Sequence, residues 1–156
     1  MRNELQILRE LYRHKARARR AYLRKIWSLP VKERYRDRGA TFPSLVDIYL
    51  HILDDHRFWF IMGYRGQTFK DYPLGLRMSR AQAERATRDV ERLTESVLEG
   101  LRPKDLGRKI LHPVDKKLLP IRSMLLNLLQ GELQHHGELN ALLWQMDVEA
   151  PWLGYT

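Results

Sequence analysis

Residues 121–146, IRSMLLNLLQGELQHHGELNALLWQM, decide the fold. Read in alternating steps of four and three, Ile121, Leu125, Leu128, Glu132, His135, Leu139, Leu142 and Met146 lie on one line along a helix, the spacing of a bundle seam. Pro120 suits the first turn of that helix, and Pro151 closes the region behind it. Two members of the seam are polar. A buried carboxylate such as Glu132 is costly unless it is paired, hydrogen-bonded or bound to a cation. Glu132 and His135 are therefore either ligands of a metal ion or a satisfied polar patch in a core. His136, about 100° further round the helix, reads as a flank residue, solvated or supporting a site from behind.

Three more helices are legible outside this one. In the second, Ser44 caps and Asp47 stands three residues on, a capping box with Asp in place of the usual Glu. Its face Ile48, Ile52, Asp55, Trp59 runs to about residue 61 and includes an acid, with His51 one turn from Asp55. Neighbouring bundle helices can thus present His51 and His135 to one point. Glu132-Leu-Gln-His135 also has the Glu-x-x-His spacing of dinuclear bundle sites, although the chain has no second copy of it. The third helix starts at Ser79 with Gln82 completing its box, and Gly100 and Pro103 end it. Ala83, Ala86, Val90, Leu93 and Val97 form its narrow seam.

The first helix spans residues 3–27, with a stripe of Leu5, Leu8, Tyr12, Ala16, Leu23 and Ile26 that weakens at Arg19 and Arg20. GYRGQTFKDYPLGLRM, residues 63–78, reads as a long loop, and loops of that length in compact domains tend to be functional. Residues 102–119 form a second irregular connection with room for a short extended piece. The expected architecture is all-α: one domain over residues 1–156, a four-helix bundle with long irregular connections between helices 2–3 and 3–4.

The chain has no cysteine, which excludes disulfides, thiolate catalysis and Cys-ligated metals, and leaves His, Asp and Glu as ligands. It has no apolar run of about 18 residues, so no membrane span is expected. The N-terminal MRNELQILRELYRHK has no signal-peptide core, and cytoplasmic residence is the default. The formal charge is +9, and residues 1–38 hold all of the excess, with 13 Arg and Lys against Glu4, Glu10, Glu33 and Asp37. Arg13, Lys15, Arg17, Arg19, Arg20, Arg24 and Lys25 meet no acid between residues 11 and 32. They are a candidate nucleic-acid surface. They go round the helix rather than forming one stripe, however, which favours a solvated charged helix. Trp27, Tyr64, Phe69, Tyr72, Trp152 and Tyr155 stand near helix ends or in loops, where aromatics lid a pocket, cover bundle ends or meet a partner subunit. His14, His56 and His112 have no supporting constellation in the sequence.

The block HHGELNALLWQMDVEAPWLGY resembles the C-terminal signature of the DinB-like (YfiT-like) helical-bundle family, and FPSLVDIYLHILDDHRFWF resembles its second helix. The likeness implies a bundle that holds one divalent metal ion, such as zinc or nickel, on three histidines. It also implies a metal-dependent hydrolase or thiol transferase acting on a small-molecule substrate, and a homodimer. Two of the three histidines match His51 and His135; the middle one matches Gly131, which has no side chain. Either the site is degenerate and the chain is a binding protein, or the neighbouring Glu132 supplies the missing ligand. Asp55 and Glu138 are the candidate proton acceptors, and Asp55 is also a candidate further ligand or support for an imidazole.

Overall fold

The structure, a computed structural model, describes residues 2–152 and 154. The helices are α1 (Glu4–Ser28), α2 (Val31–Tyr35), α3 (Leu45–Arg57), α4 (Arg80–Gly100) and α5 (Ile121–Gln145). The strands are β1 (Lys109–Leu111) and β2 (Leu118–Pro120), a small antiparallel hairpin with Ile110 opposite Leu119. The protein is thus mostly helical, with the extended piece of the last connection realised as this hairpin. The five-residue α2 is an addition to the four helices expected from the sequence.

Helix starts follow their caps. Ser44 accepts from Asp47 N–H and Asp47 accepts from Ser44 N–H, and Ser79 and Gln82 make the same reciprocal pair. Asn3 and Gln6 build a third box at α1. α3 does not stop at its last α-helical residue. It widens into a π-helical segment, Phe58–Tyr64, in which Arg65 N–H reaches back five residues to Phe60 O at 3.2 Å.

Cross-helix contacts fix the directions of the long rods. Trp27 meets Met78 and Arg9 meets Leu98, so α1 and α4 are antiparallel. Tyr12 donates to Leu125 O and Tyr22 to Asn140, so α1 and α5 are parallel. Tyr49 bonds Thr87, and Arg65 donates to Ser96, so the α3 rod runs along α4 and against α1 and α5. Two apolar clusters fill the interior. One joins Ile26, Ile48, Tyr49, Ile52, Ala83, Leu139 and Leu143; the other joins Leu8, Phe60, Val97, Ile121, Met124 and Leu128. Between them, at mid-height, lies a buried polar layer of Arg19, His56, Glu132 and His136, with Glu91 and Thr94 beside it.

Candidate metal site between two antiparallel helices

His51 and Asp55 are one turn apart on α3, and His135 faces them from α5. The two imidazoles stand edge to face with ring centroids 4.8 Å apart. Asp55 Oδ2 is 3.4 Å from His51 Nε2. One ligand atom from each of His51, Asp55 and His135 lies within 4.8 Å of the others, close enough for one ion to bridge them. The geometry leaves Glu132, expected as the third ligand, out of this group and brings Asp55 into it. It also shows what fills the room beside Gly131. A Cβ built there would meet Asp55 Oδ2 at 3.8 Å, so position 131 faces the site and the Asp55 carboxylate stands next to it.

Burial and charge prepare the donors. His51 is half-buried, and burial, reinforced by the neighbouring His135, pushes its pKa down to about 4. Its ring is neutral at pH 7. Burial pushes Asp55 up to about 6, against the pull of His135, so it is mostly ionised at pH 7. His135 Nδ1 lies 3.1 Å from Glu138 Oε2, and a carboxylate can only accept. That bond places the proton on Nδ1 and leaves Nε2 with its lone pair, the arrangement typical of a ligating histidine. Glu138 also accepts from Thr41 N–H at 2.8 Å. Burial opposes its ionisation, but Thr41 and His135 outweigh that and hold its carboxyl below the usual range. Phe42 stacks on His51 with centroids 4.0 Å apart and closes one side.

The site opens onto a cavity of about 360 Å³ lined by Phe42, Leu50, Phe58, Asp71, Tyr72 and Leu74 together with the acids of α3. Its outer wall is the long loop of residues 65–79, and that wall is tied down. Asp54 accepts from Tyr72 N–H at 2.8 Å, and Asp47 accepts from Gly75 N–H at 2.7 Å, where Gly75 takes a φ of +74°. Arg57 donates to Lys70 O at 2.8 Å and lies over the rings of Phe69 and Tyr72. Trp27 and Tyr35 hold Met78 O. Phe69 and Tyr72 are thus loop anchors, and Tyr64 carries Arg108 over its ring near the hairpin. Trp152 is largely exposed, and Tyr155 lies outside the described residues.

Glu132 belongs to the polar layer instead. Arg19 Nε donates to Glu132 Oε1 at 2.8 Å, and both side chains are 1% exposed. Burial opposes ionisation of Glu132, but the Arg19 guanidinium beside it holds its carboxyl well below the usual range. His56 Nδ1 is 3.0 Å from Ile52 O, and Nε2 is 3.0 Å from Arg19 Nη2. A carbonyl only accepts and a guanidinium only donates, so His56 is neutral with its proton on Nδ1. Its Nε2 therefore has no hydrogen for Glu132 Oε2, 3.4 Å away, and that contact is not an ion pair. His136, expected on a flank, is 2% exposed and packs on the Tyr22 ring with centroids 4.6 Å apart. Its Nε2 lies 3.4 Å from Glu132 Oε1 without the alignment of a hydrogen bond. Sequence reasoning missed His56 and Arg19. Arg19 carried a signal, because the steps Tyr12, Ala16, Arg19, Leu23, Ile26 place it on the inner stripe of α1.

A mostly helical fold that gathers two imidazoles and a carboxylate from facing rods defines a class, helical proteins with a compact donor set for a metal ion. The sequence model of the DinB superfamily matches residues 15–139, well over half of the chain, and the chain belongs to that superfamily. No curated protein matches it.

Proposed function

We propose that this protein is a metal-binding member of the DinB superfamily whose ligands are His51, Asp55 and His135, acting as a hydrolase or thiol transferase on a small molecule. The observation that carries the reading is the convergence of the three donor atoms within 4.8 Å at the base of an open cavity. The donor set fits a borderline divalent ion such as zinc or nickel: two nitrogens and one oxygen, with positions left open on the cavity side. A bound ion would supply a Lewis acid to a polar group of the substrate.

The chain's own residues do the rest. Glu138 fixes the tautomer and direction of His135, and its ionised second oxygen, tied to Thr41, keeps it in place. Phe42, Phe58 and Leu74 give the substrate an apolar wall and reduce water at the donors. Asp71, exposed on the wall, is the carboxylate there with neither a hydrogen bond nor an ion pair among the described residues. Its charge is felt at His51 and Asp55, and it joins Asp55 and Glu138 as a candidate to take up a proton from an incoming nucleophile. A homodimer and a cytoplasmic setting complete this reading.

The test is the metal content of native protein beside a His51→Ala variant. We expect about one divalent ion per chain in the first and close to none in the second, read by elemental analysis. Native protein that stays metal-free after incubation with zinc and nickel salts would favour the non-catalytic binding protein.

A further inference from the structure

The cleft between α1 and the first half of α4 is a second concave site that shares no lining residue with the first. It has a volume of about 490 Å³ and is lined by Arg20, Arg24, Arg80 and Arg88, with Glu84 on the rim and Leu23 and Thr87 on the floor. We propose that it binds the diphosphate or oligophosphate group of a small anion, either a free ion or a phosphate ester. The inference does not depend on the metal reading.

Helical spacing makes the cleft basic. Arg20 and Arg24 are one turn apart on α1, and Arg80, Glu84 and Arg88 are successive turns of α4, so each rod turns a row of long side chains towards the other. Two of the four guanidiniums are already paired, Arg20 with Glu91 and Arg80 with Glu84 at 3.0 Å. Arg24 and Arg88 have no ion pair among the described residues and are exposed. The first turn of α4 carries no acid, so the amide dipoles at that end add to the same sign. Two unpaired guanidiniums in one concavity repel each other until an anion sits between them, and their planar forks match phosphate oxygens two at a time. A single carboxylate would neutralise only one of them, whereas a diphosphate answers both. The volume is that of a small-ligand site.

The same charges argue against a nucleic-acid track. Further along the groove the lining passes to Glu91 and Glu95 beside Arg13 and Arg19, and Arg19 is consumed by Glu132. A phosphodiester backbone continuing past the arginines would run onto carboxylates. The positive patch is one ligand long.

The experiment is calorimetric titration of the full chain, treated with a chelator so that no bound metal takes the anion, with inorganic pyrophosphate at low salt. We expect binding that weakens at least about tenfold in Arg24→Ser/Arg88→Ser. It should change less than about twofold in Arg17→Ser/Lys32→Ser, which removes the same charge at exposed positions outside the cleft. Equal melting temperatures of the three proteins show that folding is intact. Tighter binding of ADP than of pyrophosphate identifies an ester, and equal binding identifies the inorganic ion; either supports the site. No heat with pyrophosphate, or equal loss in both double variants, overturns it. Tighter binding of a short single-stranded DNA that weakens equally in both also overturns it, in favour of diffuse nucleic-acid attraction.

Discussion

Arg19 and Glu132 sit at 1% exposure in the middle of the molecule, and each makes the other tolerable. Replacing Glu132 by Ala leaves a buried guanidinium unpaired, and urea unfolding should show a loss of about 3–5 kcal/mol. The double variant Arg19→Met/Glu132→Leu should lose less than Glu132→Ala alone, because it removes both charges. The pair also explains why the charge count overstated the free surface of α1. Of the seven basic residues from Arg13 to Lys25, Arg19 is spent internally and Arg20 on Glu91.

Acid should unfold the metal-free protein, and the sign follows from the shifted groups. His56 and His51 are both pushed down to about 4 from an ordinary 6.5, and His136 is lowered too, by burial first in each case. Below pH 6.5 the unfolded chain takes up protons that the folded chain refuses, so each depressed histidine costs up to about 1.4 kcal/mol per pH unit down to its folded value. Glu132, also depressed, adds a loss that begins as pH falls below its ordinary 4.5. Asp55 works the other way, because its folded pKa of about 6 exceeds the ordinary 3.8 and protonation relieves it between those values. Burial raises Asp54 as well, and the three histidines outweigh these two carboxylates. Chemical denaturation at several pH values should show stability falling steadily from about pH 6.5 to 4.

At this scale the sequence placed the polar residues of α3 and α5 one position early. A strict alternation of four and three steps has a period of 3.5, while a straight helix has 3.6, so the seam drifts. In both helices the residue following the expected one is buried, His56 after Asp55 and His136 after His135. The displaced pair, Asp55 and His135, then lies at the edge of the α3–α5 contact with His51, which is where a ligand can reach them. Glu132 kept its interior place, and the arginine that satisfies it comes from 113 residues away, beyond the reach of local patterning.

At the scale of elements, helix starts were readable because a capping box is local chemistry: Ser44 with Asp47 and Ser79 with Gln82 need only three residues each. The loop of residues 63–78 was readable as a loop, but not the way it is fastened, which depends on Asp47, Asp54 and Arg57 of α3. The π-helical stretch carries no such signature; its aromatic run Phe58-Trp59-Phe60 looks like one more helical turn in the sequence. The fastening gives a test. Asp54→Ala leaves Tyr72 N–H and Arg57 without their shared acceptor and should cost about 1–3 kcal/mol. Limited proteolysis should then cut within residues 66–78 faster than in the parent, with helix content by circular dichroism unchanged.

At the scale of the molecule, a site that draws ligands from two antiparallel rods couples metal binding to folding. An ion that binds only the folded chain should stabilise it by about 2.7 kcal/mol at a hundredfold excess over its Kd. For a chain of this length that is a rise of roughly 5–10 °C in Tm. His51→Ala and Asp55→Ala should each abolish the rise in a calorimetric scan with zinc. A variant that still shifts like the parent would place the ion elsewhere.

The anchored wall has a further effect on how the cavity takes a guest. Its backbone amides are already committed to α3 before anything enters, so little disorder is left to be frozen out on association. Capture should therefore proceed without a slow closing step, and selectivity should rest on the shape the cleft already has.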